Sequence, residues 1–183
     1  MIDQIVFGTR GSSLALFQTD RVIAKLKVLY PDIVYKRKII ETQGDRDQNS
    51  SLTLTEELGL FSYEIQSELV KNNIDTAVHS LKDVPVEHSE DLFLAAIPER
   101  VDAKDVLYHP GCLNINDLPT GSVVGTCSLR RRGQIRNLRK DIVIKDIRGN
   151  IQTRIDKVHS GEYDAIILAA AGLIRLGHDI SRY

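Results

Sequence analysis

The segment Asp75-Thr76-Ala77-Val78-His79-Ser80-Leu81-Lys82-Asp83-Val84-Pro85 sets an ammonium beside a carboxylate at the end of a short apolar run. The run predicts a strand over 76–80, and Pro85 stops it from continuing as a regular strand. Ser80, Lys82 and Asp83 then stand at the C-terminal end of that strand, the edge where open α/β sheets bind ligands. A carboxylate placed beside a cation suits proton transfer or stabilisation of a cationic intermediate. A Lys-Asp dipeptide in a surface turn is the plain alternative.

The second chemical feature is a basic segment. Arg130, Arg131, Arg132, Arg136, Arg139, Lys140, Lys145, Arg148, Arg154 and Lys157 face only Asp141, Asp146 and Asp156 in the same span. The chain as a whole carries a formal charge of -1, so the imbalance is local and points to an anion. Arg130 and Arg131 fall in the first turn of a predicted helix, where the helix dipole disfavours cations. Arg148 follows a predicted strand, Arg154 lies a turn into the next helix, and Arg175 follows Ala169-Ala170-Ala171-Gly172-Leu173. Guanidinium groups pair with carboxylates in a planar, bidentate way, so the expected ligand is a polycarboxylate or a phosphate. Nucleic acid is the rival ligand for Arg130 to Lys140. With four Phe and no Trp, the chain lacks clustered aromatics for stacking bases.

The elements needed to hold these groups alternate. Strands are predicted at 5–9, 33–40, 76–80, 92–97, 105–108, 122–125, 142–147 and 165–169. Helices are predicted at 13–29, 61–71, 129–138, 151–159 and 170–176. Residues 42–58 are polar and predict a long mobile loop. Alternating strands and helices imply an α/β fold with mostly parallel sheets. The pattern restarts after Pro98, which predicts two domains, 1–98 and 99–183. The halves echo one another: Gly8-Thr9-Arg10-Gly11-Ser12-Ser13 and Gly125-Thr126-Cys127-Ser128 both lie between a strand and a helix. Small hydroxyl residues at a helix N-terminus cap the helix or receive an anion, and two copies beside arginines point to an anion cleft between the domains.

Composition narrows the class. The hydrophobic share is 42% and the charged share 27%, ordinary for a globular protein. No apolar run is long enough for a membrane span, and Met1-Ile2-Asp3-Gln4 does not read as a signal peptide, so a cytoplasmic protein without membrane association is expected. The two cysteines, Cys112 and Cys127, have no metal-ligand spacing, and the five histidines are scattered, so no metal site is expected. Cys127 reads either as a reactive thiol beside arginines or as a buried small residue.

The blocks Thr9-Arg10-Gly11-Ser12, His79 to Pro85, Gly125 to Arg131, Arg148-Gly149-Asn150 with Thr153-Arg154, and Tyr163 to Ala169 together resemble the porphobilinogen deaminase (hydroxymethylbilane synthase) family, in order and spacing. The resemblance implies two domains like those of periplasmic binding proteins. It implies a transferase of porphyrin and haem biosynthesis that joins four porphobilinogen units into 1-hydroxymethylbilane, releasing ammonia each time. Each pyrrole carries an acetate and a propionate. By resemblance Asp83 is the catalytic carboxylate, and Arg10, Ser12, Gln18, Ser80, Lys82, Thr126, Ser128, Arg130, Arg131, Arg148, Arg154 and Arg175 bind cofactor or substrate. The family's dipyrromethane cofactor is linked to a cysteine of a third, C-terminal domain. That domain, that cysteine and the segment returning to the first sheet are expected to be missing from this chain. The expectation is then a truncated enzyme, or one completed by a separate C-terminal chain, and a monomer if complete. Where the family has a Gly-Lys-Gly stretch, the loop here reads Glu57-Leu58-Gly59, so a cation is lost from it. The alternative is a non-catalytic, two-domain module that binds polycarboxylates; the acid at Asp83 counts against it.

Overall fold

The computed structural model describes residues 2–46, 62–84, 89–111 and 114–182. Most of the predicted 42–58 loop, Leu58, Pro85 and Cys112 lie outside the described residues. The chain divides into two compact units, Met1–Pro98 and Glu99–Tyr183.

The first unit is built on a parallel sheet of order β2-β1-β3, from β1 (Gln4–Thr9), β2 (Val34–Ile39) and β3 (Thr76–Ala77). Its helices are α1 (Ser13–Leu29), a single turn α2 (Gln43–Arg46) where the sequence predicts loop, and α3 (Tyr63–Val70). Ser12 caps α1, its hydroxyl accepting the Ala15 N–H at 3.4 Å. Buried Thr19 turns its hydroxyl back to the Ala15 carbonyl at 3.0 Å, which satisfies its donor. Ile40, Ile65 and Ile74 form the core over β1. Full burial of a side chain such as Ile65 stabilises by about 1.5–3 kcal/mol.

The second unit has a sheet of order β4-β7-β5-β6. Its strands are β4 (Asp105–Tyr108), β5 (Val123–Gly125), β6 (Val143–Lys145) and β7 (Ala165–Ala169). Its helices are α4 (Leu129–Leu138), α5 (Ile151–His159) and α6 (Ala170–Arg175). β5 runs parallel to β6 and β7, while β4 runs antiparallel to β7. Along β7, Ala165 and Ile167 enter one core with Ile135 of α4. Ile166 and Leu168 enter another with Ile155 and Val158 of α5. A strand covered on both faces reads as a continuous apolar run, which is why Ala165 to Ala169 carries no polar residue.

The halves match atom for atom at several places. Asp75 accepts the Val6 N–H on Oδ2 at 2.7 Å, and Asp164 accepts the Val123 N–H on Oδ2 at 2.7 Å. Each aspartate's own N–H returns to the same residue's carbonyl, at 2.9 and 3.0 Å. Gly8 is the penultimate residue of β1 and Gly125 the last of β5. A Cβ on Gly8 would lie 2.3 Å from Ile74 Cδ1, and one on Gly125 would lie 2.9 Å from the Tyr163 ring.

Two predicted strands need correction. Residues 92–97 form no strand, and Phe93 is 84% exposed. Among the described residues β3 pairs only with β1, so this β-prone stretch has no neighbour to pack against, and propensity alone does not hold a strand. β3 itself has two residues where five are predicted: it pairs with Phe7 and Gly8 of β1, and β1 ends one residue later at Thr9.

Among the described residues no helix is long and apolar enough to cross a membrane.

Candidate functional site

In the first unit the chain leaves β3 and tightens into a 3-10 turn, Leu81–Asp83, closed by the Asp83 N–H to the Ser80 carbonyl at 2.9 Å. Asp83 therefore sits on a turn a few residues past the strand, not on the strand end itself. Lys82 Nζ meets Asp83 Oδ1 at 2.9 Å; the lysine side chain is 73% exposed and the aspartate 30%. An exposed pair of this kind contributes at most about 1 kcal/mol, so it orients the carboxylate without locking it. Ser80 donates its hydroxyl to Gln18 Oε1 at 3.1 Å, tying the segment after β3 to α1. Arg10, Ser12, Gln18, His79, Ser80 and Asp83 together line a depression of about 50 Å³. The structure thus gathers all the first-unit candidates except Lys82 around one hollow, with Lys82 at its rim on Asp83.

His79, which the sequence does not mark as a site residue, lines the same hollow. Burial pushes its imidazole below the usual histidine range; Asp83 pulls it back up and Arg10 adds to the depression. An apolar-side neighbour of a charged turn is invisible in sequence until the strand's faces are known.

In the second unit the hydroxyl of Ser128 caps α4 by accepting the Arg131 N–H at 3.4 Å, and Thr126 Oγ1 accepts the Ser128 N–H at 3.2 Å. Both hydroxyl oxygens thus accept from the turn, and these bonds leave their O–H donors unused. The arginines find counter-charges within the chain. Arg130 and Arg131 each place Nη2 2.6 Å from Asp105, on Oδ2 and Oδ1 respectively. Arg132 pairs with Asp146. So the missing acids of the first turn of α4 arrive from β4 and from the residue after β6, and no external anion is required to explain the cations there. Burial raises the Asp105 carboxyl, but the two guanidiniums outweigh it and hold the group below the usual carboxylate range.

Arg131 is 15% exposed, gives Nη1 to the Ile167 carbonyl at 2.9 Å, and keeps a buried Nε with no partner among the described residues. Arg130 is 61% exposed and gives Nη1 to Gln134 Oε1 at 3.1 Å. Arg148 follows the buried Ile147 beyond β6, and Arg175 ends α6; both are half-buried. Arg154 folds back so that Nε donates to the Gly149 carbonyl at 2.7 Å. Gly149 has φ +110°, and a Cβ there would meet Thr153 at 2.7 Å, so this tight turn into α5 demands glycine. Asn150 caps α5 through the Thr153 N–H at 2.9 Å.

Arg139 has a different employment. It chelates Asp141 and donates to the carbonyls of Ile115, Asn116 and Leu118, stitching a loop to the end of α4. The Arg139 guanidinium lowers Asp141 to about 2. Cys127 is half-buried and donates its thiol to the Ile147 carbonyl at 3.1 Å, a contact that fits a packed small residue.

Comparison with known proteins matches residues 5–183 to the family model described as porphobilinogen deaminase, dipyromethane cofactor binding domain. The chain is 47% identical over 172 residues to the porphobilinogen deaminase of Thermus thermophilus, covering 94% of this chain and 56% of that protein. It is 50% identical over 173 residues to that of Geobacillus kaustophilus, again 94% and 56%. The one from Limosilactobacillus reuteri is 46% identical, with 100% of this chain and 60% of that protein covered. The chain thus spans somewhat over half the length of these relatives. Among solved structures, a Bacillus subtilis lipoprotein described as methionine-binding shares the fold, with a TM-score of 0.53 at 11% identity over 98% of this chain and 75% of its own. With its family model matched across nearly its whole length, the chain belongs to the porphobilinogen deaminase family.

Proposed function

We propose that this chain carries the condensing centre of a porphobilinogen deaminase, which joins four porphobilinogen units into 1-hydroxymethylbilane and releases ammonia at each step. The observation that carries the reading is Asp83. It stands half-exposed over a hollow shared with Arg10, Gln18, His79 and Ser80, paired with the exposed Lys82. Cationic pyrrole intermediates need one anion close by, while their acetate and propionate arms need fixed donors elsewhere. Asp83 serves as that anion and manages the proton of the departing amine. Arg10, Ser12, Gln18, Ser80 and Lys82 hold the pyrrole's polar groups around it.

Thr126, Ser128, Arg130, Arg131, Arg148, Arg154 and Arg175 serve carboxylate arms. Their donor set suits dipyrromethane: guanidiniums fit carboxylates, and Arg131 holds a buried Nε without a partner among the described residues. When bound, dipyrromethane supplies the primer to which pyrrole units are added. Arg130 and Arg148 would hold its carboxylates. The cytoplasm is the proposed compartment, in keeping with the free thiol of Cys127.

The test is a calorimetric titration of porphobilinogen into the protein and its Arg148→Leu variant, with thermal melts of both. The expected result is binding that weakens by about tenfold or more in the variant at an unchanged melting temperature. A lowered melting temperature with binding and turnover intact would overturn the assignment.

A further inference from the structure

The antiparallel strand β4 has a consequence for the arginines. The parallel strands β5, β6 and β7 bring their last residues to the C-terminal edge of the sheet. β4 runs the other way, so its first residue arrives there instead. Asp105 pairs with Ala169, the last residue of β7, and the Ala170 N–H donates to the Lys104 carbonyl at 3.0 Å to fix that register. One carboxylate is thereby delivered to the N-terminal turn of α4.

There it uses both oxygens. Oδ1 takes Arg131 Nη2 and Oδ2 takes Arg130 Nη2, each at 2.6 Å. Two adjacent guanidiniums in the first turn of a helix repel one another and the dipole, and would splay into solvent if left alone. Arg131 is further tied to the Ile167 carbonyl and Arg130 to Gln134, so each fork is held at two points. An exposed arginine ordinarily loses rotamer entropy when it is fixed. Here that loss is met in the folded chain before any ligand arrives.

We propose that Asp105 is a positioning residue: it holds Arg130 and Arg131 side by side as a preset fork for two carboxylates of one ligand. The proposal rests on the reading of this unit as the holder of pyrrole carboxylates, and narrows it to a ligand class. A fork set at fixed spacing favours a dicarboxylate over two independent monocarboxylates. It also leaves the trio with a net charge of one, so the ligand is held by geometry more than by bulk charge.

The test starts with the wild-type protein and no ligand. Nitrogen-15 NMR of arginine side chains measures rotation about the Cζ–Nη bonds. Arg130 and Arg131 should rotate slowly, and the exposed Arg136 fast; equal rates would overturn the proposal whatever the variants do. Next, succinate and acetate are titrated into wild-type, Asp105→Asn and Asp105→Glu proteins. The preference for succinate should fall about tenfold in Asp105→Asn although a positive charge has been unmasked, since one preset charge-assisted contact is lost. Asp105→Glu keeps the charge but shifts it by a methylene, and should lose part of the preference. If both anions bind more tightly to Asp105→Asn with the preference intact, Asp105 is a mere counter-ion and the proposal fails. Porphobilinogen titrated in parallel separates the two ideas: an Asp105-dependent succinate preference without porphobilinogen binding would sink the substrate assignment and spare the fork.

Discussion

The two units carry one strand–turn–helix design twice, and spend their acids differently. Gly8-Thr9 and Gly125-Thr126 end the central strands, Ser12 and Ser128 cap the helices that follow, and Asp75 and Asp164 pin the strands from behind. The strand registers pair Gly8 with Ala77 and Gly125 with Ile166. Counting on from those pairs, Asp83 of the first unit falls opposite Gly172 of the second, and Lys82 opposite Ala171. The second unit has no acid at that place. Its nearby acid, Asp105, comes from an antiparallel strand and is consumed by two arginines. Asp83 has an exposed lysine as its salt-bridge partner among the described residues, whereas Asp105 is held between two guanidiniums. In the proposed function the same frame carries the reactive anion in one copy and the carboxylate-holding arginines in the other.

Breaking the shared frame gives the largest stability effects. Gly125→Ala should cost about 3 kcal/mol and Gly8→Ala about 1 kcal/mol in denaturant unfolding. The new methyl at Gly125 meets the Tyr163 ring, which its hydroxyl anchors to the Asp146 carbonyl at 2.5 Å, and the γ-methyls of Ile166 and Ile147. At Gly8 the closest atom is the swinging end of Ile74. Equal costs would mean that the two glycine seats are not distinguished by what surrounds them.

The pinning aspartates should behave alike. Asp75→Ala and Asp164→Ala each remove one carboxylate–amide bond of the same length at an exposed site, and each should lower stability by about 1 kcal/mol. A difference of more than about 1 kcal/mol would break the equivalence of the halves.

Acid should separate the units. Burial lowers His79 in the fold, so the unfolded chain binds its proton first. Stability from this group is complete above the ordinary histidine value, about 6.5, and declines as pH falls from there to the depressed folded value. Asp105 and Asp141 are also lowered in the fold, Asp141 to about 2, so their contributions persist until the pH drops below the ordinary carboxylate range. Histidine NMR between pH 7 and pH 4 should show the His79 ring titrating below the usual value; a normal titration would remove the contrast. Smallest of all, Cys127→Ser keeps a donor for the Ile147 carbonyl and should change stability by less than about 0.5 kcal/mol in a thermal melt.

Much of this arrangement is legible in the sequence where local signals are complete. The helix at Ser13–Leu29 and the one at Leu129–Leu138 form over the predicted residues, because a capping serine opens each; apolar spacing sustains the first, while the second buries Ile135 alone. The gathering of Arg10, Ser12, Gln18, Ser80 and Asp83 follows from placing predicted strand ends side by side. What depends on partners is not legible. Leu92 to Ile97 has strand composition but no neighbouring strand among the described residues. Asp105 looks like an unremarkable acid opening a short strand, and its importance comes from that strand's direction, which no local pattern records. The anion inferred from Arg130 to Arg132 is in part the chain's own Asp105 and Asp146.

The central claim, that the first copy holds the reactive anion, is tested most directly by ammonia release from porphobilinogen in the Asp83→Asn protein, with binding measured on the same sample. The account predicts an unchanged melting temperature, porphobilinogen binding within a few-fold of wild type, and release slowed by about 10²–10⁴-fold, the usual worth of a positioned proton-transfer group. Release within tenfold of wild type would contradict it and return Asp83 to the role of a surface turn residue.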